Sequence, residues 1–199
     1  MLLKLYKEQT SERDLAKVCD VLHSGGVVIY PTDSVYAIGC AVNSPKGVDK
    51  LKKLTSKDVK ELSIVFNDIS TMAEYCRIDN STFKILKRNL PGAITFVLKA
   101  SSRIPDRIIG KRKTIGVRIP DNAIARAIVS TLGVPMLTAS LNDDDEQEYL
   151  TDPELIDEKW GDRVDMVVDG GYGYVTPSTV VDLSEGDVEI LRQGDVELI

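Results

Sequence analysis

The chain has 199 residues, of which 43% are hydrophobic and 28% charged, the balance of a soluble globular protein able to bury roughly 70% of its unfolded surface. A net charge of −6 and a pI near 4.9 argue against general nucleic-acid affinity, and the apolar runs are far too short to span a bilayer. Lys4 follows Met1-Leu2-Leu3, so no signal-peptide core is expected, and the isolated Cys19, Cys40 and Cys76 read as packed, reduced thiols of a cytoplasmic protein.

In chain order, Ser11 to Ser24 predicts a helix, with Leu15, Val18, Val21 and Leu22 on one face and Gly25-Gly26 as its stop. Gly26 to Tyr30 predicts a buried strand that ends at Pro31, which cannot donate to a ladder. Thr32, Asp33 and Ser34 then stand where a strand opens into a loop, the place where open α/β sheets hold ligands. The alternative there is an ordinary turn. Ser44-Pro45 opens a second helix, with Val48, Leu51 and Leu54 on one stripe, and Leu62 to Phe66 is a short strand. Ser70 is expected to cap a helix through Cys76, and Asn80 or Ser81 another through Lys87.

Pro91-Gly92 marks a turn before a strand at Ala93 to Lys99. Thr114 to Ile119 is the next strand. It places Ile115, Val117 and Ile119 on one face, with Thr114 and Arg118 on the other. An arginine inside an apolar strand needs a protein carboxylate or an anionic ligand. Asp121 or Asn122 caps a helix through Leu132 that Gly133 ends. Val134 to Leu141 is a strand on which Thr138, Ser140 and Asn142 share a side, suited either to a polar ligand or to the solvated face of an edge strand. The run from Asp143 to Glu148 reads as a mobile acidic loop, and Asp152-Pro153 opens a helix through Trp160. Strands follow at Val164 to Val168, Thr179 to Leu183 and Val188 to Leu191. The second of these begins beside the Ser178 hydroxyl, and the third ends near Arg192. Helices alternating with strands, then a cluster of strands, predict an α/β layer fold with a mixed sheet.

Charge is uneven. Residues 1–120 carry +9 and residues 121–199 carry −15, so an acidic protein can still present a basic face. Lys50, Lys52, Lys53 and Lys57, with Lys111, Arg112 and Lys113, are its candidate anion-binding groups; the alternative is uneven solvated surface. There is no phosphate-cradling G-x-x-x-x-G-K-[ST] loop, and Gly170-Gly171-Tyr172-Gly173 does not follow G-x-G-x-x-G. His23 is the only histidine and sits at a predicted helix end, which leaves no basis for a Ser-His-Asp triad or a histidine metal site. Hydroxyls, guanidiniums and lysines remain. They suit an anion or nucleotide and a reaction run by positioning and electrostatics, with no single catalytic residue marked out.

Six segments, in order, resemble the YrdC/YciO family of threonylcarbamoyl-AMP synthases and their paralogues. They are Pro31-Thr32-Asp33-Ser34-Val35-Tyr36, Pro91-Gly92-Ala93-Ile94-Thr95, Thr114-Ile115-Gly116-Val117-Arg118-Ile119-Pro120, Ser140-Leu141-Asn142, Ser178-Thr179-Val180-Val181-Asp182 and Arg192-Gln193-Gly194. The resemblance implies one YrdC-like domain over residues 1–199, an open twisted mixed sheet with flanking helices around a large concave basic cavity. It implies condensation of L-threonine, bicarbonate and ATP to threonylcarbamoyl-AMP and pyrophosphate for tRNA threonylcarbamoyladenosine formation, with Mg²⁺ accompanying the nucleotide. Carried over residue by residue, Thr32, Ser34, Arg118, Thr138 and Ser178 would hold threonine. Lys53, Lys57, Thr114, Ser140, Asn142 and Arg192 would hold ATP. The family's Lys-x-Arg is replaced by Lys52-Lys53-Leu54-Thr55-Ser56-Lys57, Ala37 follows Tyr36 where the synthases usually show glycine, and acids follow Asn142. These departures point to the YciO branch. They leave open a non-catalytic paralogue that binds double-stranded RNA, tRNA or nucleotide through the basic cavity, with Lys50, Lys52, Lys111, Arg112 and Lys113 as its RNA or anion patch.

Overall fold

Strands and helices alternate along the chain because apolar alternation of period two and helical stripes alternate in the sequence. The computed structural model describes residues 1–6, 10–55, 62–111, 113–141 and 147–199. The elements in order are β1 (Leu2–Lys4), α1 (Glu12–His23), β2 (Val28–Tyr30), β3 (Ala37–Ala41), α2 (Pro45–Thr55), β4 (Ser63–Val65), α3 (Ile69–Tyr75), α4 (Asn80–Asn89) and β5 (Ile94–Lys99). There follow α5 (Asp106–Ile109), β6 (Thr114–Arg118), α6 (Ala123–Leu132), β7 (Met136–Ser140), α7 (Glu148–Thr151), α8 (Pro153–Trp160), β8 (Met166–Asp169), β9 (Thr179–Asp182) and β10 (Glu189–Arg192).

The strands form one mixed sheet in the order β1-β8-β2-β3-β7-β4-β6-β5-β9-β10. Every predicted helix is present, but two caps lie earlier than expected. Asp68 Oδ1, not Ser70, accepts the Thr71 N–H at 2.7 Å, and Asp79 Oδ1 accepts that of Thr82 at 2.7 Å, ahead of Asn80 and Ser81. Asn122 caps α6 by accepting from Ala125 N–H at 3.1 Å, and Gly133 ends it with φ +74°, a left-handed conformation suited to glycine. Glu148, expected in a mobile loop, opens α7; residues 142–146 lie outside the described ones.

Two apolar cores flank the sheet. The first runs along one face from β8 to β9 and receives Val48 and Leu51 of α2, Met72 of α3, Leu86 of α4, and Ile156 and Trp160 of α8. The second, on the other face, receives Leu15, Val18 and Leu22 of α1 and Ile124, Ile128 and Leu132 of α6. Its strand residues come from β8, β2, β3, β7 and β4 and stop there. On that second face Ser63, Thr114, Gly116, Val97 and Val180 are therefore only half-buried, although the residues beside them pointing the other way are buried. The half-covered sheet leaves a polar floor next to the ends of β2 and β6. No helix among the described residues is long and apolar enough to cross a membrane.

Candidate functional site

A recess of about 20 Å³, room for about one water, opens where the second core ends. Its walls include Tyr30, Thr32, Ser63, Thr95, Arg118, Thr138, Ser140 and Ser178, contributed by six strands and the loops at their ends. Strand register does the gathering. Ser63 pairs with Thr138 on one side and Gly116 on the other, and Ser140 pairs with Ala37, so the hydroxyls of β4 and β7 share a face. Strand β7 lies between β3 and β4, so Thr138 belongs to a central strand and is buried, not on the solvated face of an edge strand.

Pro31 ends β2 and the chain tightens at once. Thr32 Oγ1 accepts the Ser34 N–H at 3.0 Å and donates to the Val35 carbonyl at 2.8 Å, a side-chain turn that turns Ser34 inward. Arg118, at the end of β6, is only 6% exposed. Its Nη1 donates to Ser34 Oγ at 2.8 Å and its Nη2 to Asp33 Oδ1, a close buried ion pair. Asp33 Oδ2 also accepts the Asp121 N–H at 2.8 Å. Arg118 thus has the protein carboxylate that its position in an apolar strand demanded, yet among the described residues its buried Nε–H has no partner.

The opposite wall is held through Ser178. Its hydroxyl lies 2.9 Å from that of Thr95, and its carbonyl accepts from Arg192 Nε at 3.0 Å and Nη2 at 2.8 Å. Burial first, and then the Arg118 guanidinium, pull the Arg192 pKa below its ordinary value. Among the described residues, two cations therefore share this region with the carboxylate of Asp33. Below them Tyr30 OH donates to Thr138 Oγ1 at 3.1 Å, and Thr138 donates to the Ile38 carbonyl at 3.1 Å. Burial pushes the Tyr30 phenol up to about 12, against the opposing Thr138 bond and Arg118 charge, so it stays a neutral donor.

Thr32, Ser34, Arg118, Thr138, Ser140, Ser178 and Arg192 thus meet around one region, as hydroxyls and guanidiniums placed at strand ends suggested. Thr114 shares the Arg118 face but sits four residues away, about 13 Å along β6. Between them Gly116 keeps the floor open: a Cβ there would lie 3.1 Å from both Ser63 Cβ and Thr95 Cγ2. Among the lysines, Lys50 is paired with Asp165 at 2.6 Å, and Lys52 donates to the Arg107 carbonyl. Lys53, Lys111 and Lys113 are exposed and line no part of the recess. Lys57, Arg112 and Asn142 lie outside the described residues. Sequence reasoning placed Asp33 at the strand end where ligands are held but gave it no role, quoted Thr95 only as part of a family motif, and missed Tyr30 and Ser63. Asp33 was legible as the acid between two hydroxyls, while the others needed the register.

The Sua5/YciO/YrdC family model, described as "Telomere recombination", matches residues 20–194. The chain belongs to this family. Escherichia coli YciO is 34% identical over 192 residues, which are 96% of this chain and 93% of YciO. Its crystal structure superposes with a TM-score of 0.93 at 33% identity, over 99% of this chain and 97% of YciO. A Methanocaldococcus jannaschii protein with the provisional name threonylcarbamoyl-AMP synthase is 31% identical over 203 residues, covering 99% of this chain and 94% of its own. The fold also matches P. abyssi Sua5 complexed with L-threonine, with a TM-score of 0.88 at 24% identity, over 98% of this chain and 57% of Sua5.

Proposed function

We propose that the protein condenses L-threonine, bicarbonate and ATP to threonylcarbamoyl-AMP and pyrophosphate, the product serving tRNA threonylcarbamoyladenosine formation. The observation that carries this reading is the buried Nε–H of Arg118, without a partner among the described residues, in a hydroxyl-lined recess. A buried guanidinium N–H left without an acceptor is costly, and a ligand carboxylate relieves that cost. Threonine, larger than the recess, would stand at its mouth, with its carboxylate toward Arg118 and its hydroxyl toward the set formed by Thr32, Ser34, Thr138 and Ser178. The threonine complex of Sua5 supports an amino acid in a fold of this kind.

The nucleotide would lie along the open face that runs from Ser140 past Gly116 to Thr114. Arg192, whose hydrogen bonds go to neutral oxygens, would meet its phosphates. The deprotonated threonine amine would attack the bicarbonate carbon, forming the N–C bond of a carbamate with loss of water; a carbamate oxygen would then attack the α-phosphate in line as the bond to the β-phosphate breaks and pyrophosphate leaves. The described lining of the recess offers donors in place of spare carboxylates, so Mg²⁺ would arrive held by the nucleotide phosphates. Pyrophosphate release that requires threonine, bicarbonate and ATP together tests the reading. Binding of nucleotide or tRNA with no release under any combination would instead mark a non-catalytic paralogue.

A further inference from the structure

Arg118 lines the recess, and Ser34 and Asp33 already take its two terminal nitrogens. Asp33 and Arg118 side chains are 13% and 7% exposed, so their charges attract each other with little screening. A guanidinium is planar and rigid. Ser34 holds Nη1 and Asp33 holds Nη2, which fixes the direction of the remaining Nε–H. Asp33 is itself pinned from the far side by the Asp121 N–H at the entrance to α6. The carboxylate thus ties the loop after β2 to the loop after β6, with the guanidinium between them.

We infer that Asp33 is a specificity-determining positioning residue: it presents the Arg118 Nε–H edge and limits that edge to monoanionic carboxylates, rejecting dianions such as phosphate. One carboxylate already cancels most of the charge on Arg118. A second single charge can still share the guanidinium edge, because Arg192 adds positive potential from across Ser178. A dianion on the same edge would face the Asp33 carboxylate at close range with more repulsion than the site offsets. The inference deepens the proposed reading, since it concerns the group that would hold the threonine carboxylate and would keep ATP phosphates away from it. It also accounts for an acid standing between the two hydroxyls of Thr32-Asp33-Ser34, a position given no ligand role above.

The test follows the Arg118 Nε–H resonance in protein with isotopically labelled arginine, assigned by its loss in Arg118→Lys. In the wild-type chain, L-threonine and acetate should shift this resonance saturably, and inorganic phosphate, at a pH above its second pKa where the dianion dominates, should not, wherever else phosphate binds. In Asp33→Asn, phosphate should shift it with an affinity at least about tenfold above any wild-type effect, while threonine weakens. Asp33→Glu, which keeps the charge, should restore rejection of phosphate. A structural role alone would lower stability without reversing the anion preference. Phosphate acting on wild-type Arg118 as strongly as acetate would overturn the inference, even if Asp33→Asn fails to fold. Unchanged preference in a folded Asp33→Asn would overturn it too. A response to acetate but not to threonine would instead count against the threonine reading and leave the role of Asp33 standing.

Discussion

The hydroxyls of Thr95 and Ser178 meet at 2.9 Å between the parallel neighbours β5 and β9, and the Ser178 carbonyl accepts two hydrogen bonds from Arg192. One residue thus transmits the position of β5 to the cation at the end of β10. Thr95→Val keeps the shape of the side chain and removes the Ser178 partner. The expected cost is about 0.5–1.5 kcal/mol in urea unfolding, with a severalfold loss of threonine affinity by calorimetry. Unchanged affinity would detach this wall from the ligand.

Arg118→Ala strands the Asp33 carboxylate in a buried site. Stability should fall by about 3–5 kcal/mol, as it does when one partner of a buried pair is removed. Adding Asp33→Ala should recover part of that loss, because the orphaned charge goes with it. Threonine binding should weaken about tenfold or more in any folded Arg118→Ala protein. Additive effects in the double variant would mean the two side chains are not energetically coupled.

Gly116→Val should fill the floor between Arg118 and Thr114. Its Cβ alone would crowd Ser63 and Thr95 at 3.1 Å, an overpacking that costs about 1–3 kcal/mol. Nucleotide affinity should drop more than threonine affinity, because the threonine contacts lie at the Arg118 end. Equal losses of both ligands would argue against two separate parts of the site.

Much of the architecture could be read directly from sequence. Helix α6 announced itself through Asn122, its apolar stripe and Gly133, and β2 through its run into Pro31. Strand β3 did not, because Ala37-Ile38-Gly39-Cys40-Ala41 lacks alternation. It is a strand because β2 and β7 pair with it on both sides and both its faces are buried. The single turns α5 and α7 carry too few residues for a helical stripe. In the site, the hydroxyls and arginines were legible as ligand chemistry at strand ends. That Thr95 reaches Ser178, and that Tyr30 reaches Thr138, follows from register and curvature, which no local pattern encodes.

Acid stability should report one cap. The Asp79 carboxylate accepts from the Thr82 N–H and the Ser81 hydroxyl, and these bonds to its charged form hold its pKa at about 2, below the usual 3.8. A depressed folded pKa contributes stability above pH 3.8 that is lost as pH falls through about 2. Asp79→Asn should therefore flatten the decline of stability across that window while leaving the neutral-pH fold intact. An identical acid profile for the variant would show that the cap is not coupled to folding.

Pyrophosphate release from ATP in the presence of L-threonine and bicarbonate, measured for the wild-type chain and Arg118→Ala, decides whether this chain makes threonylcarbamoyl-AMP. Release by the wild-type protein should disappear when either threonine or bicarbonate is omitted and should be lost in a folded Arg118→Ala. Absence of release from wild-type protein that demonstrably binds both ATP and threonine would contradict that activity.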